Sequence, residues 1–263
     1  MSASPSTCAV IGSGNVVYSL IPALEEAGIK VLQVYSRSGL GKTSLPISEN
    51  IEIINDFDKL CDDADIYIVS VKDDAIQEVA EANRGRGGLW VHTSGSVGKD
   101  ALSIVSPSYG VLYPMQTFTK GLKVDFSEVP IFVEGADEKS LNSITELSKK
   151  LSRKVIPTDS EKRTRIHAAA VFACNFVNFL WTTADDVLKP AGEELDILYP
   201  LIKETWEKIH KTTPRLAQTG PARRGDKRVV EKHLKLLTEP QAEIYSFLTD
   251  RIMDYYGIKG TLD

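Results

Sequence analysis

The segment CAVIGSGNVV, from Cys8 to Val17, constrains the fold of this chain more than any other. An apolar run, Cys8 to Ile11, ends at Gly12-Ser13-Gly14 and passes directly into a helical pattern. A strand, a G-x-G turn and a helix in that order open a dinucleotide-binding βαβ unit. Gly12 permits the tight turn. Gly14 lets the backbone approach a pyrophosphate on the helix N-terminus, where unpaired N–H groups and the helix dipole favour an anion. The neighbouring Ser13, Asn15 and Val16 join the expected cofactor contacts. The third glycine of the full fingerprint is absent: Val17 occupies its place, so the helix is expected to stand slightly off the strand.

From Thr7 to Pro157 short β-rich runs alternate with helical patterns, the order that yields a parallel sheet covered by helices on both faces. Strands are predicted over Cys8 to Ile11, Lys30 to Tyr35, Ile66 to Val71, Leu89 to His92, Gly110 to Leu112, Ile131 to Val133 and Lys154 to Ile156. Helices are predicted over Val16 to Ala27, Asp74 to Ala82 and Glu138 to Leu151. Several strands are apolar without alternation, as strands buried on both faces are. After Asp159 the β-rich runs cease, and apolar residues recur at helical spacing through Ile166, Ala170, Phe172, Phe176, Phe179 and Leu180. Further helices are expected over Glu194 to Lys211, Arg228 to Leu237 and Gln241 to Tyr256, with an irregular segment from Thr212 to Asp226. The expected fold class is therefore α/β: a Rossmann domain with a doubly wound, mostly parallel sheet (residues 1–157), then a smaller all-α domain (158–263).

The second strand ends in VLQVYSRS, where an acidic residue would bind the ribose 2′-hydroxyl of NAD. Here Ser36, Arg37 and Ser38 offer a guanidinium and hydroxyls instead, the equipment for the 2′-phosphate of NADP. Val71 at the end of the next strand, and Thr93 and Ser94 in LWVHTSGS, complete the expected cofactor site.

Five residues are weighed for chemistry, His92, Tyr113, Asn175 and Arg224 as the catalytic candidates and His167 beside them. His92 ends a predicted strand; it can relay a proton near neutrality, or bond neighbouring backbone and shape the loop. Tyr113, in GVLYPMQTF, either lies beside the nicotinamide or is a buried structural tyrosine. In RIHAAAVFACNF, His167 and Asn175 interrupt an apolar helix about two turns apart. The amide of Asn175 suits a substrate or the nicotinamide carboxamide, while a histidine bonded within the core is the alternative for His167. The loop TGPARRGD carries Arg224, which can clamp a carboxylate or phosphate, and Asp226, a good N-cap for the next helix. His233, beside Val229 and Leu237, reads as a packed interface residue, and no residue pattern suggests a metal.

A formal net charge of -5 over 263 residues gives no basic footprint for nucleic acid or an anionic membrane. The expected partner is a small molecule. Three scattered cysteines, Cys8, Cys61 and Cys174, fit a reduced cytoplasm. The N-terminal segment lacks the features of a signal peptide, and no unbroken apolar run is long enough for a membrane span.

The segments IGSGNV, HTSGS, YPMQTF, the helix with Asn175 and TGPARRGD followed by His233 resemble a family of Rossmann-like proteins with a C-terminal helical domain of unknown function. That family is related to the pyrroline-5-carboxylate reductase and 6-phosphogluconate dehydrogenase superfamily. The resemblance implies an NADP-dependent oxidoreductase similar to deazaflavin-dependent NADP oxidoreductases. It also implies an active site between the domains and a homodimer made by the C-terminal helices. Where the resemblance leads one to expect a histidine before Pro114, this chain has Tyr113, so the proton donor is Tyr113 or His92.

The expected function is hydride transfer between NADP(H) and a small carbonyl, imine or hydroxy acid. One rival is an NADP(H)-binding sensor or scaffold without turnover; another, prompted by Val17, is a remnant that binds no cofactor. If Arg37 holds a 2′-phosphate, its charge-assisted hydrogen bonds favour NADP over NAD by about ten- to a hundredfold. Arg37→Ala is then expected to erase that preference in paired titrations with the two cofactors, and an unchanged affinity ratio sinks the assignment.

Overall fold

The described residues, 4–37 and 45–258 of a computed structural model, contain eight strands. These are β1 (Thr7–Ile11), β2 (Lys30–Tyr35), β3 (Glu52–Ile54), β4 (Ile66–Val69), β5 (Leu89–His92), β6 (Ser108–Pro114), β7 (Ile131–Gly135) and β8 (Val155–Pro157). They form one sheet in the order β3-β2-β1-β4-β5-β6-β7-β8, parallel except for the β6–β7 pair. The first six positions of that order are those of a Rossmann sheet, and the chain reverses its winding between β1 and β4.

Three helices cover the sheet: α1 (Asn15–Glu26), α2 (Asp73–Ala82) and α3 (Glu138–Leu151). One buried cluster joins α1, through Val17, Leu20 and Leu24, to α3, through Ile144 and Leu147. A second cluster joins α2, through Ile76 and Val79, to Tyr67 and Trp90, whose rings stack 4.5 Å apart. Apolar side chains on both faces explain why β4 and β5 are buried at every position. Val17, in the place of the third glycine, is fully buried in the first cluster, where it serves as core.

Sequence-based boundaries differ from the structure where pairing partners lie far away in the chain. β3 went unpredicted because three residues carry no period; its pairing with Gln33, Val34 and Tyr35 of β2 makes it a strand. β4 stops at Val69, the residue that pairs with the end of β1 at Ile11, and the Ser70 N–H still donates to the Ile11 carbonyl at 2.7 Å. β6 extends past Leu112 because Tyr113 and Pro114 pair with Phe132 and Ile131 of antiparallel β7. Tyr113 is therefore a strand residue rather than a loop residue.

The chain divides into two compact units, Met1–Phe172 and Ala173–Asp263. The strands end near Pro157, as the change in sequence texture indicated, but the first unit continues into α4 (Ser160–Ala170). Asp159 caps α4 by accepting from the Lys162 N–H at 2.7 Å. A π-helical segment, Val171–Asn175, connects α4 to α5 (Phe176–Leu188).

The second unit continues with α6 (Tyr199–Lys211), α7 (Pro214–Ala217), α8 (Pro221–Arg224), α9 (Lys227–Leu234) and α10 (Glu239–Tyr255). The segment expected to be irregular thus holds two one-turn helices, α7 and α8, each with proline in its first turn, where the missing N–H costs nothing. Asp226 caps α9 through the Val229 N–H at 3.3 Å, as expected. Among the described residues of this unit only Ala222, Val230, Thr249 and Met253 are buried, while Phe179, Trp206, Leu216 and Leu236 are each more than half exposed. The helical run Ser160–Ala191 is long and apolar enough to cross a membrane by length and composition, with mean hydropathy 1.2 and none of its best window buried. It is not one unbroken apolar run, because the uncharged Asn175, Asn178 and Thr182 interrupt it.

Candidate active site

Parallel strands present all their carboxyl ends on one edge of the sheet, and the predicted cofactor residues of the first unit gather there. Gly12 follows β1, donates its N–H to the Tyr35 carbonyl at 2.9 Å and has φ of +128°. A Cβ on Gly12 would stand 2.0 Å from the Ser70 carbonyl oxygen, so no other residue fits this turn. Gly14 is the N-cap of α1 and supplies no side chain to the first-turn N–H groups. A Cβ there would meet nothing within 4 Å, and Gly14 and Asn15 are exposed. Among the described residues no N-cap side chain bonds the helix start, which therefore offers backbone donors with room for a phosphate group.

Around this cradle stand the other cofactor candidates. Ser36 is buried and donates its hydroxyl to Ser13 Oγ at 3.2 Å, which fixes the end of β2 against the glycine turn. Arg37 follows it and is exposed. Thr93 donates Oγ1–H to Ser70 Oγ at 3.0 Å, and half-buried Val71 follows Ser70. Ser38 lies outside the described residues. The donor set, the open glycine and the free helix N-terminus fit a dinucleotide.

The same edge carries a tyrosine–histidine pair. The Tyr113 hydroxyl lies 2.9 Å from His167 Nδ1 of α4, and the two rings meet edge to face with centroids 5.8 Å apart. A Cβ on Gly95 would come within 2.6 Å of the His167 ring, so the glycine of HTSGS provides the seat for the imidazole. Burial pushes the Tyr113 hydroxyl above its ordinary pKa; the Arg163 guanidinium opposes that rise and Asp73 reinforces it. Ser94 is buried, accepts the N–H groups of Ser96 and Val97 through Oγ at 3.1 and 3.0 Å, and so closes the loop.

Beneath this pair lies an ion pair that the sequence reading missed. Arg163 is completely buried and donates to Glu134 of β7, itself 5% exposed. The available signal was one acid in the apolar strand IFVEG, but nothing local tells which cation it meets.

Asn175 and Arg224 belong to the second unit, and the first-unit residues are the ones brought together. Asn175 is exposed at the end of the π-helical segment, a helix irregularity common at functional sites. Both loop arginines are exposed; Arg223 lies over the Tyr256 ring at 4.6 Å, and Arg224 stands between Gly220 and Gly225, both with positive φ. His233 Nδ1 meets the Tyr245 hydroxyl at 2.7 Å.

His92 has no exposed surface. Its Nδ1 accepts the Ser94 N–H at 3.2 Å and its Nε2 faces the Gly98 carbonyl at 3.3 Å, an arrangement that requires neutral, Nε2-protonated imidazole. Of its two readings, this geometry is that of the loop-shaping one. Burial first, then the Arg163 charge, lowers its pKa to about 4, against opposing effects of the Gly98 carbonyl and Asp73. The folded protein thus refuses a proton that the unfolded chain takes up near pH 6.5, so stability is lost as pH falls from about 6.5 towards 4. Denaturant titrations of wild type and His92→Gln are expected to differ in their pH 7 to pH 5 stability loss by about 2 kcal/mol, the wild type losing more. Parallel losses in the two proteins would contradict the assignment.

Residues 7–89 match the family described as "NADP oxidoreductase coenzyme F420-dependent", and residues 129–252 match a "Domain of unknown function". No curated protein matches the sequence. Among solved structures, a "putative NADP oxidoreductase" from Bacteroides fragilis is 36% identical over 95% of this chain and 98% of that one, with a TM-score of 0.85. A protein from Thermotoga maritima (22% identity, 95% and 98% coverage, TM-score 0.68) shares the fold. So does a reductive aminase from Aspergillus terreus in complex with NADPH and ethyl levulinate (14% identity, 99% and 97% coverage, TM-score 0.71). An identity of 36% over nearly the whole length, together with the glycine turn, makes this chain a member of the NADP oxidoreductase family that joins a Rossmann domain to a helical domain of unknown function.

Proposed function

We propose that the protein reduces a small imine or carbonyl compound with NADPH, Tyr113 donating the proton. The observation that carries this reading is the 2.9 Å contact of Tyr113 with His167 on the edge where the cofactor residues converge. The α1 N-terminus and the Gly12–Gly14 turn hold the pyrophosphate, and Ser36 and Arg37 take the 2′-phosphate. Bound NADPH supplies the hydride to the substrate carbon. Tyr113 passes its phenolic proton to the nitrogen or oxygen that gains charge. A buried phenol is a weak acid, and His167 offsets this: with Nδ1 protonated it donates to the Tyr113 oxygen as the phenol proton leaves. The half-buried imidazole then regains its proton from solvent. In the second unit, Asn175 and Arg224 are assigned to the substrate by chemistry, an amide for a polar group and a guanidinium for a carboxylate.

NADPH oxidation is to be followed with cyclic imines, small ketones with and without an amine, and in the reverse direction with hydroxy acids. Tyr113→Phe is expected to lower kcat about 100-fold or more while NADPH affinity stays unchanged. Bound cofactor without turnover of any compound would leave the sensor reading in its place.

The second unit is further proposed to pair with a second copy of itself. Its outward-facing Phe179, Trp206, Leu216 and Leu236, and a groove of about 400 Å³ lined by Leu180, Val187, Leu236 and Tyr245, support a large apolar interface. Light scattering is expected to give twice the chain mass at micromolar concentration, and Leu236→Lys with Phe179→Glu to give a monomer. A wild-type monomer, or protein recovered only with membranes, would refute the pairing.

A further inference from the structure

We infer that Arg163 and Glu134 form a buried clamp that holds His167 in register with Tyr113, which makes Arg163 a positioning residue for the proposed reduction. The inference rests on the proton-donor reading of Tyr113 for its catalytic consequence, though the clamp itself is a matter of geometry.

The register is built from two periods that match. In the antiparallel β6–β7 pair, Glu134 stands opposite Val111, so Glu134, Val111 and, two residues on, Tyr113 share one face of the sheet. On α4, Arg163 and His167 are four residues apart, one turn along the same helix face. Four helical residues rise about 6 Å and two strand residues about 6.6 Å. Arg163 meeting Glu134 therefore places His167 at Tyr113.

The guanidinium fork joins three elements. Nη1 donates to Glu134 of β7, and Nη2 donates to the Val97 carbonyl in the loop that follows HTSGS. Nη2 also approaches Ser160 Oγ, in the first turn of α4, at 3.5 Å. Ser160 donates its hydroxyl to the Glu134 carboxylate at 2.9 and 3.1 Å and accepts the Lys99 N–H at 3.3 Å. Helix, strand and loop cannot shift separately without stranding a buried charge. A buried ion pair is a poor device for stability alone, because well-packed apolar side chains hold a helix equally well. Its distinguishing property is direction: a planar fork accepts one alignment of carboxylate and carbonyl.

The clamp also reaches further charges: the Lys99 ammonium lies 3.5 Å from Glu134 and 3.8 Å from Asp100. The groups facing Tyr113 and His92 are Arg163 and His167 from α4 and Asp73 from the start of α2. The Arg163 guanidinium favours loss of the Tyr113 proton and so opposes part of the rise that burial and Asp73 impose.

The test uses the full-length protein with NADPH bound and ¹⁵N-imidazole NMR, which is tractable with four histidines. The His167 signals are assigned by their loss in His167→Gln. Arg163→Lys keeps the charge and loses the fork; the neutral double variant Glu134→Gln with Arg163→Met removes the clamp without stranding a charge. Both are expected to shift the His167 Nδ1 resonance away from its hydrogen-bonded position and to lower kcat about 10- to 100-fold, with NADPH affinity within about twofold of wild type. In a Tyr113→Phe background the same changes are expected to cost nothing further in kcat. If His167 keeps its wild-type resonance in both variants, the clamp is overturned whatever the kinetics. If the resonance moves while turnover is unchanged, the clamp stands and the proton-donor reading of Tyr113 falls.

Discussion

No side chain fits between Gly12 and the carbonyl oxygen of Ser70, and the cofactor edge is organised by that contact. It exists because β1 and β4 pair in parallel at the point where the sheet reverses its winding, so their connections leave in opposite directions and open a crevice. The glycine turn closes one wall of the crevice and starts α1 with its free N–H groups at the opening. Ser36, Val71 and Thr93 reach the same edge because β2, β4 and β5 share the polarity of β1.

Much of this layout is legible in the sequence because it is local. A strand, a glycine turn and a helix adjoin in the chain, and strands buried on both faces show themselves as unbroken apolar runs. Features defined by distant partners are not legible in the same way. β3 is a strand because β2 offers it an edge, and Tyr113 is a strand residue because Phe132 pairs with it. Glu134 and Arg163 are 29 residues apart, each an ordinary charged residue in its own segment. His167 and Tyr113, 54 residues apart, become a pair only when α4 is laid on the sheet. The sequence placed His167 on an apolar helix and could not say what it would meet.

The helical unit shows the opposite limit. Its periodicity declares helices clearly, and the cap Asp226 marks where α9 starts. Periodicity also declares an apolar face without naming what covers it. Among the described residues few side chains of this unit are buried within the chain, and large apolar ones such as Phe179, Trp206 and Leu236 stand exposed. In the proposed pairing with a second copy those exposed apolar side chains become the buried part of an interface.

Tyr113 stands where the family resemblance leads one to expect histidine, and the loss is smaller than it looks. An imidazole is still present at the site, carried by α4 at His167 rather than by β6, and the tyrosine hydroxyl extends towards it. What changes is the division of labour. A single histidine would both touch the substrate and exchange its proton with solvent, whereas in the proposed reduction the buried phenol makes the contact and the half-buried imidazole makes the exchange. That division demands a fixed distance between two residues on different elements, a demand a lone histidine does not impose. A charged pair seated beneath them, aligned by a planar fork, satisfies it in a way that interchangeable apolar contacts do not.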